Sequence, residues 1–252
     1  MKKDKFILLL MISTLITLMF YYRVQTIEVT EEIPKETVKH VVKVTLDPVK
    51  IPNLEGKTFK EVFAINTIDD IVYNRINNIS YKENDSITRD DLRYLEVTYW
   101  GFDNKRHYGE LIVNQLVAEE VLEIFKELYQ NHYPVENMLL VDEYNGDDLK
   151  SMEANNTSAF NYRKVAGSNK LSNHSYGLAI DINPLQNPYV KNSHVSPEGG
   201  NEYIDRETIQ IGMIQKNDIC YQAFISRGWE WGGDWKSIKD YQHFEKKIEG
   251  FN

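Results

Sequence analysis

Apolar and polar positions follow several distinct periods along this chain, and those periods predict its elements. Phe6 to Tyr22 is an uncharged apolar run, at the short end of what spans a bilayer. Val97 to Phe102 and Gly109 to Asn114 read as two strands, with Asp103, Asn104 and Lys105 in the loop of a hairpin. Between Val117 and Tyr129 the apolar residues fall at Val117, Val121, Leu122, Ile124, Phe125 and Leu128, the spacing of an amphipathic helix. Pro134 closes it, and Met138 to Val141 predicts a further strand. Leu178 to Ile182, bounded by Gly177 and Pro184, predicts a short buried strand, and a helix is predicted over Ile219 to Arg227. Helices and strands interleaved in this way, with hairpin signals, predict an α+β fold.

The folded domain should occupy residues 58–252, beginning near Phe59. Before it, residues 23–57 mix Glu, Lys, Thr and Val with Pro34, Pro48 and Pro52, and read as a spacer in which Val41, Val42, Val44 and Leu46 could form a local strand. Within the domain, Ser151 to Arg163 is polar, amide-rich and without a period. Long polar connections in a compact domain usually line a site.

Composition narrows the possibilities. A net charge of −9 with no dense Lys/Arg block in the soluble part argues against a nucleic-acid partner. Cys220 is the only cysteine, so no intramolecular disulfide can form and a metal would have to be held by nitrogen and oxygen. Residues 1–5 are basic and precede the apolar run 6–22, which ends in Tyr21, Tyr22 and Arg23 without a small-residue cleavage pattern or a lipobox cysteine. This favours an uncleaved membrane anchor with its N-terminus in the cytoplasm, and hence a single-pass protein whose domain is extracytoplasmic. If the segment is instead a cleaved signal, the domain is secreted.

The candidate chemistry begins at Asp181, a carboxylate set in the apolar run of Leu178, Ala179, Ile180 and Ile182. An ionised carboxylate buried there is costly unless it is paired or bound to a metal. His174 lies seven residues earlier in a polar turn, and His243 near the C-terminus offers a third ligand of the kind a catalytic zinc needs. Asp240 shares a face with His243 if the segment is helical, whereas on a strand Glu245 shares that face and becomes the rival base. His194 is a rival ligand in a polar, Gly-rich loop. Arg163 reads either as a loop clamp or as a fixed cation facing a developing oxyanion. The interleaved Trp and Gly of residues 228–235 suit a groove wall or core packing, and Ser172 and Ser175 suit the support of a turn.

Ser172-x-His174-x-x-Gly177-x-Ala179-x-Asp181, followed by Asp240-x-x-His243-Phe244, resembles the M15 family of zinc peptidases. These are D-alanyl-D-alanine carboxypeptidases and dipeptidases, with cell-wall endopeptidase relatives. The similarity extends from about Leu92 through Glu245. It includes the segments 156–163 and 228–235. The resemblance implies one Zn2+ per chain, held by His174, Asp181 and His243, with Asp240 as acid and base and Arg163 near the substrate carbonyl. It also implies a small α+β fold, an antiparallel sheet with flanking helices around the zinc site, and a peptidoglycan stem peptide as substrate. The leading expectation is a D-alanyl-D-alanine carboxypeptidase using metal-activated water. An endopeptidase cutting a bond such as L-Ala-D-Glu, or a zinc-containing module that binds wall peptides without cutting, are the alternatives.

Overall fold

The computed structural model describes residues 60–165 and 167–251. The expected anchor at 6–22, the spacer at 23–57 and the local strand at 41–46 lie outside them. Among the described residues no helix is long and apolar enough to cross a membrane. The described residues belong to one compact unit, Gly56–Asn252.

Strands β1 (Phe63–Thr67), β2 (Leu92–Trp100) and β3 (Arg106–Asn114) form an antiparallel sheet in the order β1-β2-β3. β2 and β3 make the expected hairpin. Its ladder runs from Leu92 opposite Asn114 to Trp100 opposite Arg106. Apolar residues of these strands are buried on both faces of the sheet. Leu95, Val97, Leu111 and Val113 join the core on one face. Leu92, Tyr94 and Ile112 join a second cluster on the other, with Ile68, Val72 and Ile76. Val72 and Ile76 come from helix α1 (Asp70–Ile76), whose N-cap Asp69 accepts a hydrogen bond from Val72 N at 2.9 Å. Helix α2 (Ala118–Gln130) is the predicted amphipathic helix. It lays Val121, Leu122, Ile124, Phe125 and Leu128 into the first core. Burying each such side chain stabilises the fold by roughly 1.5–3 kcal/mol.

Met138 to Val141 is not the expected strand. Met138 O accepts one backbone bond from Glu110 N of β3 at 3.0 Å, but Leu139 is paired with a side chain instead: Leu139 N donates to Asn156 Oδ1 at 2.8 Å, and Asn156 Nδ2 donates to Leu139 O at 2.9 Å. The chain then enters a 3-10 turn at Val141–Tyr144, where Asn145 takes φ 58°. Helix α3 (Asp148–Glu153) takes up the first residues of the polar connection that the sequence leaves without a period.

Two further small sheets carry the site. One has the order β4-β9-β7, with β4 Ala179–Asp181, β7 Glu230–Trp231 and β9 His243–Glu245. The other has the order β6-β5-β8, with β5 Tyr189–Lys191, β6 His194–Ser196 and β8 Lys239–Asp240. The sheet is thus divided into three rather than being the single one expected. Helix α4 (Ile219–Ile225) is shorter than predicted. Asp218 caps its start by accepting from Tyr221 N at 2.7 Å. Phe224 of α4 stacks on Phe244 of β9, with centroids 4.0 Å apart.

Candidate metal centre

Asp181 and His243 lie directly opposite each other in the β4–β9 ladder. Opposed residues of an antiparallel pair project to the same face, so a pairing across 62 residues of sequence brings the carboxylate to the imidazole. Asp181 Oδ1 lies 2.9 Å from His243 Nδ1. Phe244, one position on, points the other way and is fully buried in the core, while Glu245 returns to the face of His243.

His174 comes from a 3-10 turn at Asn173–Tyr176. Ser172 caps that turn, and Gly177 ends it in the left-handed conformation with φ 66°. A Cβ at Gly177 would stand 2.5 Å from Asn114 N, so the close approach of the turn to β3 needs glycine. Asn114 N in turn donates to Gly177 O at 2.9 Å, and its side chain donates to Tyr176 O at 2.9 Å. The end of the large hairpin therefore clamps the turn that bears His174. His174 Nδ1 donates to the carbonyl of Ala159 at 2.5 Å. That bond turns Nε2 towards Asp181 Oδ2 and His243 Nδ1, each at 3.3 Å.

The donor atoms of His174, Asp181 and His243 all lie within 4.8 Å of one another, and all three residues are buried. The group could hold a metal ion. Burial by itself would raise the Asp181 pKa, but charge interaction with His174 and hydrogen bonds from both imidazoles hold its carboxyl well below the usual range. Burial disfavours a charged His243, yet its hydrogen bonds to Asp181 and then Glu245 push its pKa up to about 10. His243 Nε2 donates to Glu245 Oε2 at 3.2 Å, and the same oxygen accepts from Asn173 Nδ2 at 2.6 Å. Glu245, the rival base of the sequence reading, thus orients the ring from behind, a usual arrangement for a ligating histidine.

The segment around Asp240 is extended, with a turn between β8 and β9, not helical. Asp240 lines the same cavity of about 630 Å3 as the three clustered residues. Burial raises its pKa to about 6, with His243 opposing and Asp181 adding to the rise. Gln242 Nε2 donates to Asp240 Oδ1 at 3.3 Å. The backbone of Asp240 packs so tightly on Gly232 that a Cβ there would stand 2.5 Å from the Asp240 carbonyl oxygen.

Arg163 also lines the cavity, but it is ion-paired: its Nη2 lies 2.7 Å from Asp148 Oδ2. Its Nε is buried without a hydrogen-bond partner. The ion pair fits the clamp reading, and the side chain also lines the cavity. Ser175 Oγ holds the same segment, donating to Arg163 O at 2.6 Å and accepting from Arg163 N at 2.9 Å. His194 lines the cavity rim, exposed and outside the three-residue cluster. The Trp and Gly residues divide: Trp229 and Trp231 are core, and Trp235 lines the cavity with its ring 5.6 Å from that of His243. Tyr189, Lys191 and Ser196 also line it. Their alternation along two short strands was the available signal, diluted among loop residues.

Two imidazoles and a carboxylate around one point, beside a cavity that Asp240 also lines, are a donor set that could hold one metal ion. Residues 166–246 match the family model described as D-alanyl-D-alanine carboxypeptidase, a narrower span than the resemblance from Leu92 suggests. The peptidoglycan L-alanyl-D-glutamate endopeptidase CwlK of Bacillus subtilis (strain 168) is 36% identical over 74 residues, covering 29% of this chain and 38% of that protein. No solved structure matches the chain significantly. The matched segment, which holds His174, Asp181, Asp240 and His243, is thus similar to peptidases of the M15 family, and the chain spans well under half the length of that Bacillus relative.

Proposed function

We propose that this protein is a zinc-dependent peptidase of peptidoglycan stem peptides, with His174, Asp181 and His243 as the metal ligands. The observation that carries this reading is the convergence of the three side chains, buried, on a cavity that also contains Asp240. The donor set fits zinc: Nε2 of His174 and Nδ1 of His243 face the same point as a carboxylate held ionised, and a bound ion would take the place of the proton on His243. Bound there, zinc would polarise the peptide carbonyl and acidify a water molecule.

The chain's own residues supply the proton traffic. Asp240, raised to about 6 by burial, is suited both to take a proton and to return it near neutral pH. It accepts a proton from the attacking water and delivers it to the leaving nitrogen. The C–N bond breaks, the water's hydroxyl ends on the carbonyl carbon, and no covalent enzyme intermediate is needed. Arg163 offers a permanent positive charge at the cavity wall for the oxyanion. Gln242 and Glu245 hold Asp240 and His243 in place.

The leading reaction is removal of the terminal D-alanine from a stem peptide, as the matched family description suggests. The named activity of the Bacillus relative supports a second reading, endopeptidase cleavage between L-Ala and D-Glu. Such a substrate lies outside the cytoplasmic membrane, and the basic start followed by the apolar run 6–22 suits delivery there as an anchor or a signal. Digestion of a defined stem pentapeptide by the zinc-loaded chain, with products weighed, tests all of this. Loss of one alanine supports the carboxypeptidase, a larger fragment supports the endopeptidase, and an intact peptide defeats the enzyme reading.

A further inference from the structure

The sheet β6-β5-β8 is built as a polar wall of the cavity. Tyr189 pairs with Asp240 across the β5–β8 ladder and with Ser196 across β5–β6, while Lys191 pairs with His194. Ile238 stands two residues before Asp240. Side chains two apart on a strand, or opposite each other on neighbouring strands, share a face. All six of these residues line the cavity, and the intervening Val190 and Val195 pair with each other on the reverse face. The wall therefore runs from the half-buried Asp240 through Tyr189 to an exposed cation at Lys191, about 7 Å along the strand from the Tyr189–Asp240 pair.

Among the described residues Lys191 makes no ion pair closer than 4 Å. The other cations of the cavity are placed differently. Arg163 is held by Asp148. Lys170 belongs to the segment leading into His174, not to the wall that bears Asp240. The acid that gives a proton to the leaving nitrogen must touch that nitrogen. The residue that departs must therefore lie near Asp240, and Lys191 is the lysine that shares this wall with it.

Resting on the peptidase reading above, we propose that Lys191, flanked by His194, receives a free carboxylate on the residue released by cleavage. The hairpin β5–β6 would then set specificity for an acidic leaving residue. Both bonds considered above meet this requirement. The terminal D-Ala carries its own carboxylate, and a γ-linked D-Glu keeps a free α-carboxylate beside the scissile nitrogen.

The test uses the zinc-reconstituted full chain and three synthetic peptides. These are L-Ala-γ-D-Glu-L-Lys-D-Ala-D-Ala, its C-terminal amide, and its D-isoglutamine analogue. Binding is followed by tryptophan fluorescence, since Trp235 lines the cavity, and cleavage by mass spectrometry. The native chain should bind and cut the parent peptide in preference to one of the two amides. Lys191→Gln should lower binding and kcat/KM for the parent by about tenfold, as for loss of a half-exposed charged hydrogen bond. It should leave the disfavoured amide unchanged, and Lys191→Arg should restore most of the preference. If Lys191→Gln keeps the full acid-over-amide preference, or if the native chain binds all three peptides equally or none, the assignment of Lys191 is overturned. Binding with a preference that Lys191→Gln removes, but without cleavage, would overturn the peptidase reading and leave only carboxylate binding by Lys191.

Discussion

Glu245 and Asp240 flank His243 in the sequence and meet it differently in space. Glu245 touches the ring nitrogen that faces away from the cluster, and Asp240 stands in the cavity without a direct bond to the ring. Asp240→Asn should therefore keep zinc, measured by metal analysis, while lowering kcat by about 10²–10⁴-fold. Glu245→Gln should do the reverse, weakening zinc about 10–100-fold in a competition with a chelator. If Glu245→Gln kept full metal affinity and abolished turnover, the two roles would be exchanged. His243 also predicts a pH dependence. Without metal its pKa is raised to about 10, so it is protonated at neutral pH, and a bound ion must displace that proton. Affinity should rise with pH, by about tenfold per unit below that value, and fall on acidification. Titrations with a zinc indicator at several pH values check the slope.

Among the elements, the turn Asn173–Tyr176 depends on its neighbours more than on its own sequence. Gly177→Ala would place a methyl group against β3 in a left-handed backbone. It should destabilise the domain by more than about 1 kcal/mol in urea unfolding, and loosen zinc as His174 shifts. Helix α2 and the hairpin β2–β3 were legible because their periods extend over many residues and each face meets one environment. Met138 to Val141 was not, since at Leu139 an amide side chain distant in sequence supplies the hydrogen bonds a strand partner would have made. The two- and three-residue strands around the site are too short to show a period. Asp181 was nevertheless conspicuous as a charge in an apolar run, and His174 and His243 followed from what that charge needs. Lys191 had no such anomaly around it, and Arg163 gave no hint of its partner Asp148.

For the whole molecule, the centre joins a turn, β4 and β9, segments separated by up to 69 residues between His174 and His243. An ion held there binds only the folded chain, so zinc at about 100 times its Kd should add about 2.7 kcal/mol of stability, and a chelator should lower Tm correspondingly. Asp240→Asn should show the same zinc-dependent rise, which separates metal loading from catalysis in one melting experiment. The alternation along β9 has a wider effect. Phe244 is wedged between Phe224 and Trp231 on the hidden side of the strand that presents His243 and Glu245. A slip by one position would swing all of these side chains to the opposite side. The aromatic stack therefore works as an alignment pin, and damage to it, with every polar group intact, would first be noticed as a protein that no longer retains its metal.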